Sequence, residues 1–230
     1  MDFVYICKDG DNEELRYSIR SVMASFPDAN VWVVGGKPSW YNGNFIFVQQ
    51  RSAKYINAIN NLKTICASEE ISEQFILMND DFFIIEKINS IDTFHGGLLF
   101  DKINLYKKIA TNSGYISKLE KTFNKINDLG LSNILDYELH VPMVMEKTKL
   151  KSVLRHGSEF LWRSMYGNIF NVGGTEMKDV KVYIEGPLVA KSYEIKNKEH
   201  KYLSSTDTSF QMLYSIILKK MFSTKCKYEN

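Results

Sequence analysis

The sequence predicts an α/β protein: a mostly parallel sheet flanked by helices, with a helix-rich C-terminal half. Three observations carry that expectation. Strand-like and helix-like segments alternate through residues 1–100, an order that yields parallel strands. The strand-like segments are continuous apolar runs rather than alternating ones, as in sheets covered on both faces. The chain has 230 residues, 44% of them hydrophobic, with only 4 prolines and no linker-like stretch, so it suffices for one large domain.

The first strand is the apolar run Phe3-Val4-Tyr5-Ile6-Cys7, closed by the turn signal Lys8-Asp9-Gly10-Asp11. Leu15, Ile19, Val22, Met23 and Phe26 then recur at helical spacing, with Asp11 or Asn12 as the cap. Val31-Trp32-Val33-Val34, stopped by Gly35-Gly36, and Phe45-Ile46-Phe47-Val48 are the next two strands. Ala53 to Ala67 reads as a helix with Ile56, Ile59, Leu62, Lys63 and Cys66 on one side. Phe75-Ile76-Leu77-Met78 is a fourth strand, ended by Asn79-Asp80-Asp81.

In the second half Asp101 to Asn127 reads as helical and Lys-rich, and a short helix follows within Leu139 to Lys151, after His140-Val141-Pro142. Gly157 to Gly174 has the aromatic, basic and Gly/Asn mixture of a binding loop. Val180 to Ile184 alternates like a strand, and Phe210, Leu213, Tyr214, Ile217 and Met221 mark a final amphipathic helix.

Composition narrows the classes of function. Cys7, Cys66 and Cys226 form neither a CxxC pair nor a zinc spacing, which fits reduced thiols in a cytoplasmic protein. The N-terminus lacks the order of a signal peptide, and no apolar run approaches a membrane span. Residues 1–100 carry 13 Asp and Glu against 8 Lys and Arg, whereas residues 101–230 carry 14 against 21. The basic half suits either an anionic acceptor or a set of solvated helices.

Ligands of open parallel sheets sit beyond the carboxyl ends of strands. Asp9 and Asp11 follow the first strand and Asp80 and Asp81 the fourth, so the two acidic turns are expected at one crevice. Adjacent carboxylates repel; a hard cation such as Mg²⁺ or Mn²⁺, shared with substrate phosphates, relieves that. The same residues also suit an ordinary acidic turn. Arg16 and Arg20 share a helix face and either present a guanidinium fork to phosphate or pair with Glu13 and Glu14; the residues alone favour the pairing.

Four segments occur in an order that resembles the central conserved region of the Stealth family of sugar-phosphate transferases. They are Glu14-Leu15-Arg16-Tyr17-Ser18-Ile19-Arg20-Ser21, Pro38-Ser39-Trp40, Asn57-Ala58-Ile59 and Leu77-Met78-Asn79-Asp80-Asp81-Phe82-Phe83. Val4-Tyr5-Ile6-Cys7-Lys8-Asp9-Gly10 resembles that family's first block, but with Cys-Lys-Asp-Gly for Trp-Val-Asp-Gly and without the usual spacer after it. His140-Val141-Pro142 resembles the later His-x-Pro block, and Trp162-Arg163-Ser164 with Asn168 resembles the Arg-Ser segment. In general shape the chain is similar to a small nucleotide-sugar glycosyltransferase of the GT-A type, including bacteriophage-encoded ones, some of which modify DNA bases.

The resemblance implies a UDP-type donor with Mn²⁺ or Mg²⁺ held by Asp80 and Asp81. Asp9, Asp11, Arg16, Arg20, Asn57 and Asn79 would contact the donor, and Asp81, His140 and Arg163 would act in catalysis. A histidine with the ordinary pKa near ~6.5 suits removal of a proton from an acceptor hydroxyl. Residues 1–230 would form a single domain, with 1–100 the nucleotide-sugar and metal half and 101–230 the acceptor half. The acceptor would be a glycan or a hydroxymethylated base of phage DNA. The small size and merged first blocks favour glycosyl transfer over transfer of sugar-1-phosphate. Two competing readings are a non-catalytic binding module and a nucleic-acid binder that stacks bases on Phe160, Trp162 and Tyr166.

Overall fold

A strand of almost wholly buried residues at the N-terminus organises the main sheet, because Phe3, Val4 and Tyr5 are fully enclosed. The protein is described by a computed structural model over residues 1–51, 53–109, 113–183 and 201–230. In chain order the elements are β1 (Asp2–Cys7), α1 (Glu13–Ser25), β2 (Asn30–Gly35), β3 (Asn44–Phe47), α2 (Lys54–Ala67), β4 (Gln74–Asn79), β5 (Phe82–Ile84) and β6 (Phe94–His95). Then come α3 (Leu99–Ile109), α4 (Ser113–Asp128), β7 (Met143–Glu146), α5 (Lys147–Leu154), α6 (Trp162–Ile169), β8 (Thr175–Glu176), β9 (Lys181–Val182) and β10 (Tyr202–Ser205). The last helical region is α7 (Asp207–Ser209), a π-helical stretch (Phe210–Tyr214) and α8 (Ser215–Met221). The architecture is the expected one, α/β with a mostly parallel sheet flanked by helices.

The chain divides into two compact units. The first comprises Met1–Ile91, His140–Val144 and Val180–Asn230. Its main sheet has the order β3-β2-β1-β4-β7, and the pairs β1·β2, β1·β4 and β2·β3 are all parallel. The connection β1-α1-β2 runs one way across the sheet and β3-α2-β4 returns the other way. Right-handed crossovers in opposite directions place α1 and α2 on opposite faces.

After β4 the chain turns through Asp80-Asp81 into β5, which leaves the main sheet for a second one of order β5-β10-β9. Helix α1 holds this turn in place. The Ser18 hydroxyl donates to the carbonyl of Phe82, and Ser21 Oγ accepts from the Ile84 amide at 3.0 Å. Tyr17, Phe83, Val182, Leu203, Phe210, Tyr214 and Leu218 form a core that joins α1, the small sheet and the final helical region.

The C-terminal tail closes this unit. The Tyr228 hydroxyl donates to the Ala29 carbonyl and accepts from the Val31 amide, at 2.9 and 3.0 Å. Arg20 forms a two-pronged pair with Glu229, both contacts at 2.6 Å.

The second unit, Asp92–Leu139 and Met145–Asp179, is mainly helical. Helix α3 packs on α4, and α6 on both α4 and α5. The helical stretch expected over Asp101 to Asn127 consists of two helices, α3 and α4. Asn168 on α6 grips the backbone of Leu135 in both directions at 2.8 Å, and Lys102 pairs with the buried Asp136 at 2.7 Å. The short strand β7 was hidden ahead of the helix expected in Leu139 to Lys151. Ile184, the end of the expected strand from Val180, lies outside the described residues.

Candidate active site at the strand ends

In the order β3-β2-β1-β4, chain direction across the sheet reverses between β1 and β4. Such a switch point opens a crevice beyond the carboxyl ends of the two strands. The register sets Ile6 of β1 opposite Asn79 of β4, so Lys8–Asn12 and Asp80–Asp81 leave the sheet side by side. Gly36 permits close approach on the other flank, since a Cβ there would lie 2.5 Å from Cα of Asp9 and from the Lys8 carbonyl oxygen.

Asn12 joins the two segments. Its Oδ1 accepts from the Leu15 amide at 3.0 Å and caps α1, while its Nδ2 donates to Asp80 Oδ2 at 2.6 Å. Asp11 is exposed and accepts from both the amide and the hydroxyl of Ser39, each at 2.8 Å. Those two donors hold its carboxyl below the usual range. Asp9 is exposed on the same turn.

A cleft of about 310 Å³ opens beside this junction, lined by Lys8, Asp11, Asn12, Glu14, Asp207 and Phe210 among others. Its charge is predominantly negative. Burial pushes the Asp80 carboxyl up, the neighbouring Asp81 charge adds to that, and the Asn12 hydrogen bond opposes both. Glu14, in the first turn of α1, is raised as well, to about 7. Burial is the main cause; the Ser205 hydroxyl, donating at 2.9 Å, pulls the other way, and Asp80, Asp81 and Asp207 push up again.

Asp81 has a different environment. Register places Ser204 of β10 opposite both Phe82 of β5 and Lys181 of β9. Asp81 Oδ2 therefore accepts from Lys181 Nζ at 2.6 Å and from Ser204 Oγ at 2.9 Å. The side chains of Lys181 and Asp81 are only 16% and 11% exposed.

The donor set available to a hard cation follows from these contacts. Among the described residues, no group of three or more His, Cys, Asp and Glu is placed to hold a metal ion. Asp80 is half-buried and bonded to Asn12, which lines the cleft. Asn79 Oδ1, one residue before it, is a buried acceptor with no hydrogen-bond partner among the described residues. One carboxylate plus a neutral oxygen, completed by water and substrate phosphates, is a set that Mg²⁺ uses. These residues fit an ion shared with a bound phosphate.

The other expected residues are dispersed. His140 is partly buried and stands edge-on to the Phe82 ring, with centroids 6.1 Å apart, so it lies one residue from the acidic turn. Arg16 pairs with Glu13 at 3.1 Å and lies over the Trp40 ring at 4.8 Å. Arg20 is about 12 Å further along α1 than the Asn12 cap, at 1.5 Å per residue; besides Glu229 it donates to the Phe222 carbonyl at 2.8 Å. Asn57 bonds the amide and the carbonyl of Arg51 at 2.7 and 2.6 Å, closing the loop before α2. Arg163 belongs to the second unit, where its Nε donates to the Tyr137 carbonyl at 3.0 Å.

Sequence reasoning missed Lys181, Ser204 and Ser205, and gave Glu14 no role at the site. A charged residue inside the otherwise apolar run Val180-Lys181-Val182 was the available signal for Lys181. Nothing local marked the serines, whose partners lie 123 and 191 positions away.

No family model matches the sequence, and no curated protein matches it. Among solved structures, the chain is similar to the galactosyltransferase LgtC in complex with donor and acceptor sugar analogs, at 10% identity and a TM-score of 0.47, covering 98% of this chain and 96% of that one. It is also similar to the apo form of the glycosyltransferase GlyE of Streptococcus pneumoniae TIGR4, at 8% identity and a TM-score of 0.39, covering 100% of this chain and 64% of that one. A third is mouse xyloside xylosyltransferase 1, apo form, at 7% identity and a TM-score of 0.32, covering 100% and 96%. No helix among the described residues is long and apolar enough to cross a membrane.

Proposed function

We propose that this chain is a GT-A-type glycosyltransferase that binds a nucleotide-sugar donor in the crevice beyond β1 and β4. The observation that carries the reading is the 2.6 Å bond from Asn12 to Asp80, which fastens the two strand-end segments together beside an acidic cleft at the switch point. A diphosphate is repelled by a cleft lined by Asp11, Glu13, Glu14 and Asp207, with Asp80 bonded to Asn12 beside it, unless a cation joins them. In this reading Asp80 and Asn79 would hold Mn²⁺ or Mg²⁺, which when bound would supply charge neutralisation for the departing diphosphate.

The chain's own groups do the rest. Lys8 stands at the mouth of the cleft as a cation for phosphate. Asp11, fixed by Ser39, orients the donor. His140, next to Phe82, takes the proton of the acceptor hydroxyl as that oxygen attacks the anomeric carbon. The bond from that carbon to the diphosphate breaks and a nucleoside diphosphate leaves.

A panel of nucleotide sugars with and without Mn²⁺ tests the reading by thermal shift. A ligand that binds only the folded state raises apparent stability by about 2.7 kcal/mol at a hundred times its Kd. A UDP-sugar should stabilise the protein only when Mn²⁺ is present; no stabilisation by any nucleotide sugar rejects the proposal. Turnover with glycan and hydroxymethylated-DNA acceptors should release a nucleoside diphosphate. Release of a nucleoside monophosphate would assign sugar-1-phosphate transfer instead.

A further inference from the structure

Resting on the proposed metal-bridged donor site, we infer that Lys181 is a built-in cation that keeps Asp81 out of the ion's ligand set, so that Asp80 is the single carboxylate ligand and the ion binds together with the donor diphosphate rather than before it. Twin carboxylates at a strand end invite the opposite conclusion, a bidentate acidic site ready for a bare ion. The contacts of Asp81 oppose it. Its Oδ2 already receives Lys181 Nζ at 2.6 Å and Ser204 Oγ at 2.9 Å. Charge-assisted contacts of this length are among the stronger ones in proteins. Both side chains are mostly enclosed, so an ion that captured Asp81 would strand an ammonium group with little water around it.

The arrangement is set by the fold rather than by a chance rotamer. The register β5-β10-β9 puts Phe82, Ser204 and Lys181 in one row, immediately beside Asp81. Asp80 instead accepts from Asn12 on α1, a residue that lines the cleft. The turn therefore separates two adjacent carboxylates, one paired with an internal ammonium group and one bonded to a neutral amide. Asn79 Oδ1, buried and unpartnered among the described residues, adds a neutral oxygen at the same strand end. Affinity for a hard cation rises with the number of charged ligands. A site limited to one carboxylate holds the bare ion weakly and gains the rest of its ligands from the phosphates.

Lys181 is thus a positioning residue, and its test reads ion binding directly. Mn²⁺ binding is measured by the electron paramagnetic resonance of free Mn²⁺, with and without UDP, in the full chain. Wild type should bind bare Mn²⁺ weakly and bind it at least about tenfold more tightly with UDP. Lys181→Met, and Lys181→Gln should the first fail to fold, should tighten bare Mn²⁺ by about tenfold by releasing Asp81. The double variant Lys181→Met/Asp81→Asn should return to the wild-type value. Unchanged bare-ion affinity in a folded Lys181 variant, with Mn²⁺–UDP binding intact in wild type, overturns the inference while leaving the donor site standing. Absence of Mn²⁺–UDP binding in wild type overturns both.

Discussion

Asn12 performs two tasks with one amide, and the two can be separated by substitution. Asp caps a helix as well as Asn does, and Ser does so nearly as well. At position 12, however, Asp would set a second carboxylate where Nδ2 now donates to Asp80. Asn12→Asp should therefore destabilise the protein by about 2 kcal/mol, the order of a lost bond to a part-buried charge, and Asn12→Ser by about half of that. Urea denaturation midpoints check the ranking; equal losses would mean that a carboxylate at position 12 meets no repulsion from Asp80. Glu14 gives a second test. Its carboxyl is raised from the ordinary 4.5 to about 7, chiefly by burial. The folded state then holds a proton that the unfolded state releases, so this group's contribution to stability falls as pH rises from 4.5 to 7. In Glu14→Gln that contribution vanishes, and thermal midpoints measured across the window should converge on or exceed those of wild type toward pH 7. At this scale, the acidic strand end was legible because Asn79-Asp80-Asp81 stops an apolar run. The fate of Asp81 was not, because its partner Lys181 lies 100 positions away.

Helix α1 shows how an element is read correctly while its polar face is not. Its apolar spacing and its cap were evident, and the cap resolved to Asn12. Arg16 and Arg20 share a face, and both turn to Glu229 of the tail rather than to the acidic cleft. Arg20 is buried against Glu229 at 2.6 Å and the Phe222 carbonyl, whereas Arg16 stays half-buried over Trp40 and reaches Glu229 only at 3.8 Å. Removing one member of an enclosed pair leaves the other charge uncompensated, so Arg20→Met should cost about 3–5 kcal/mol. The double change Arg20→Met/Glu229→Met should recover much of that loss in a denaturation series; additive losses would contradict the pairing. For Glu229, burial pushes the carboxyl up, but the Arg20 hydrogen bond and the Cys226 amide bring it below the ordinary range. Its stabilisation is present at neutral pH and lost as pH falls through that lowered value. The final helix illustrates a different limit. Its apolar face was visible from Phe210 to Met221, but its π-helical stretch over Phe210–Tyr214 leaves no mark in hydrophobic spacing.

For the whole molecule, the parallel sheet was legible because β1, β2 and β4 are buried on both faces and so are written as apolar runs. The small sheet was not, because β5, β10 and β9 are two to four residues long and come together from distant parts of the chain. The return of Val180–Asn230 to the first unit was equally hidden, since neither Tyr228 nor Glu229 carries a local sign of its partners near residues 20 and 30. That return nonetheless supplies Lys181 and Ser204 to the acidic turn and Ser205 to Glu14, so the site depends on long-range assembly more than on its motif. Hydrogen exchange with and without Mn²⁺ and UDP tests the location of the donor site most directly. Protection concentrated in Lys8–Glu14 and Asn79–Phe82, present only when ion and nucleotide are added together and absent in Asp80→Asn, is the predicted result. Protection confined to other segments, or undiminished in Asp80→Asn, would contradict it.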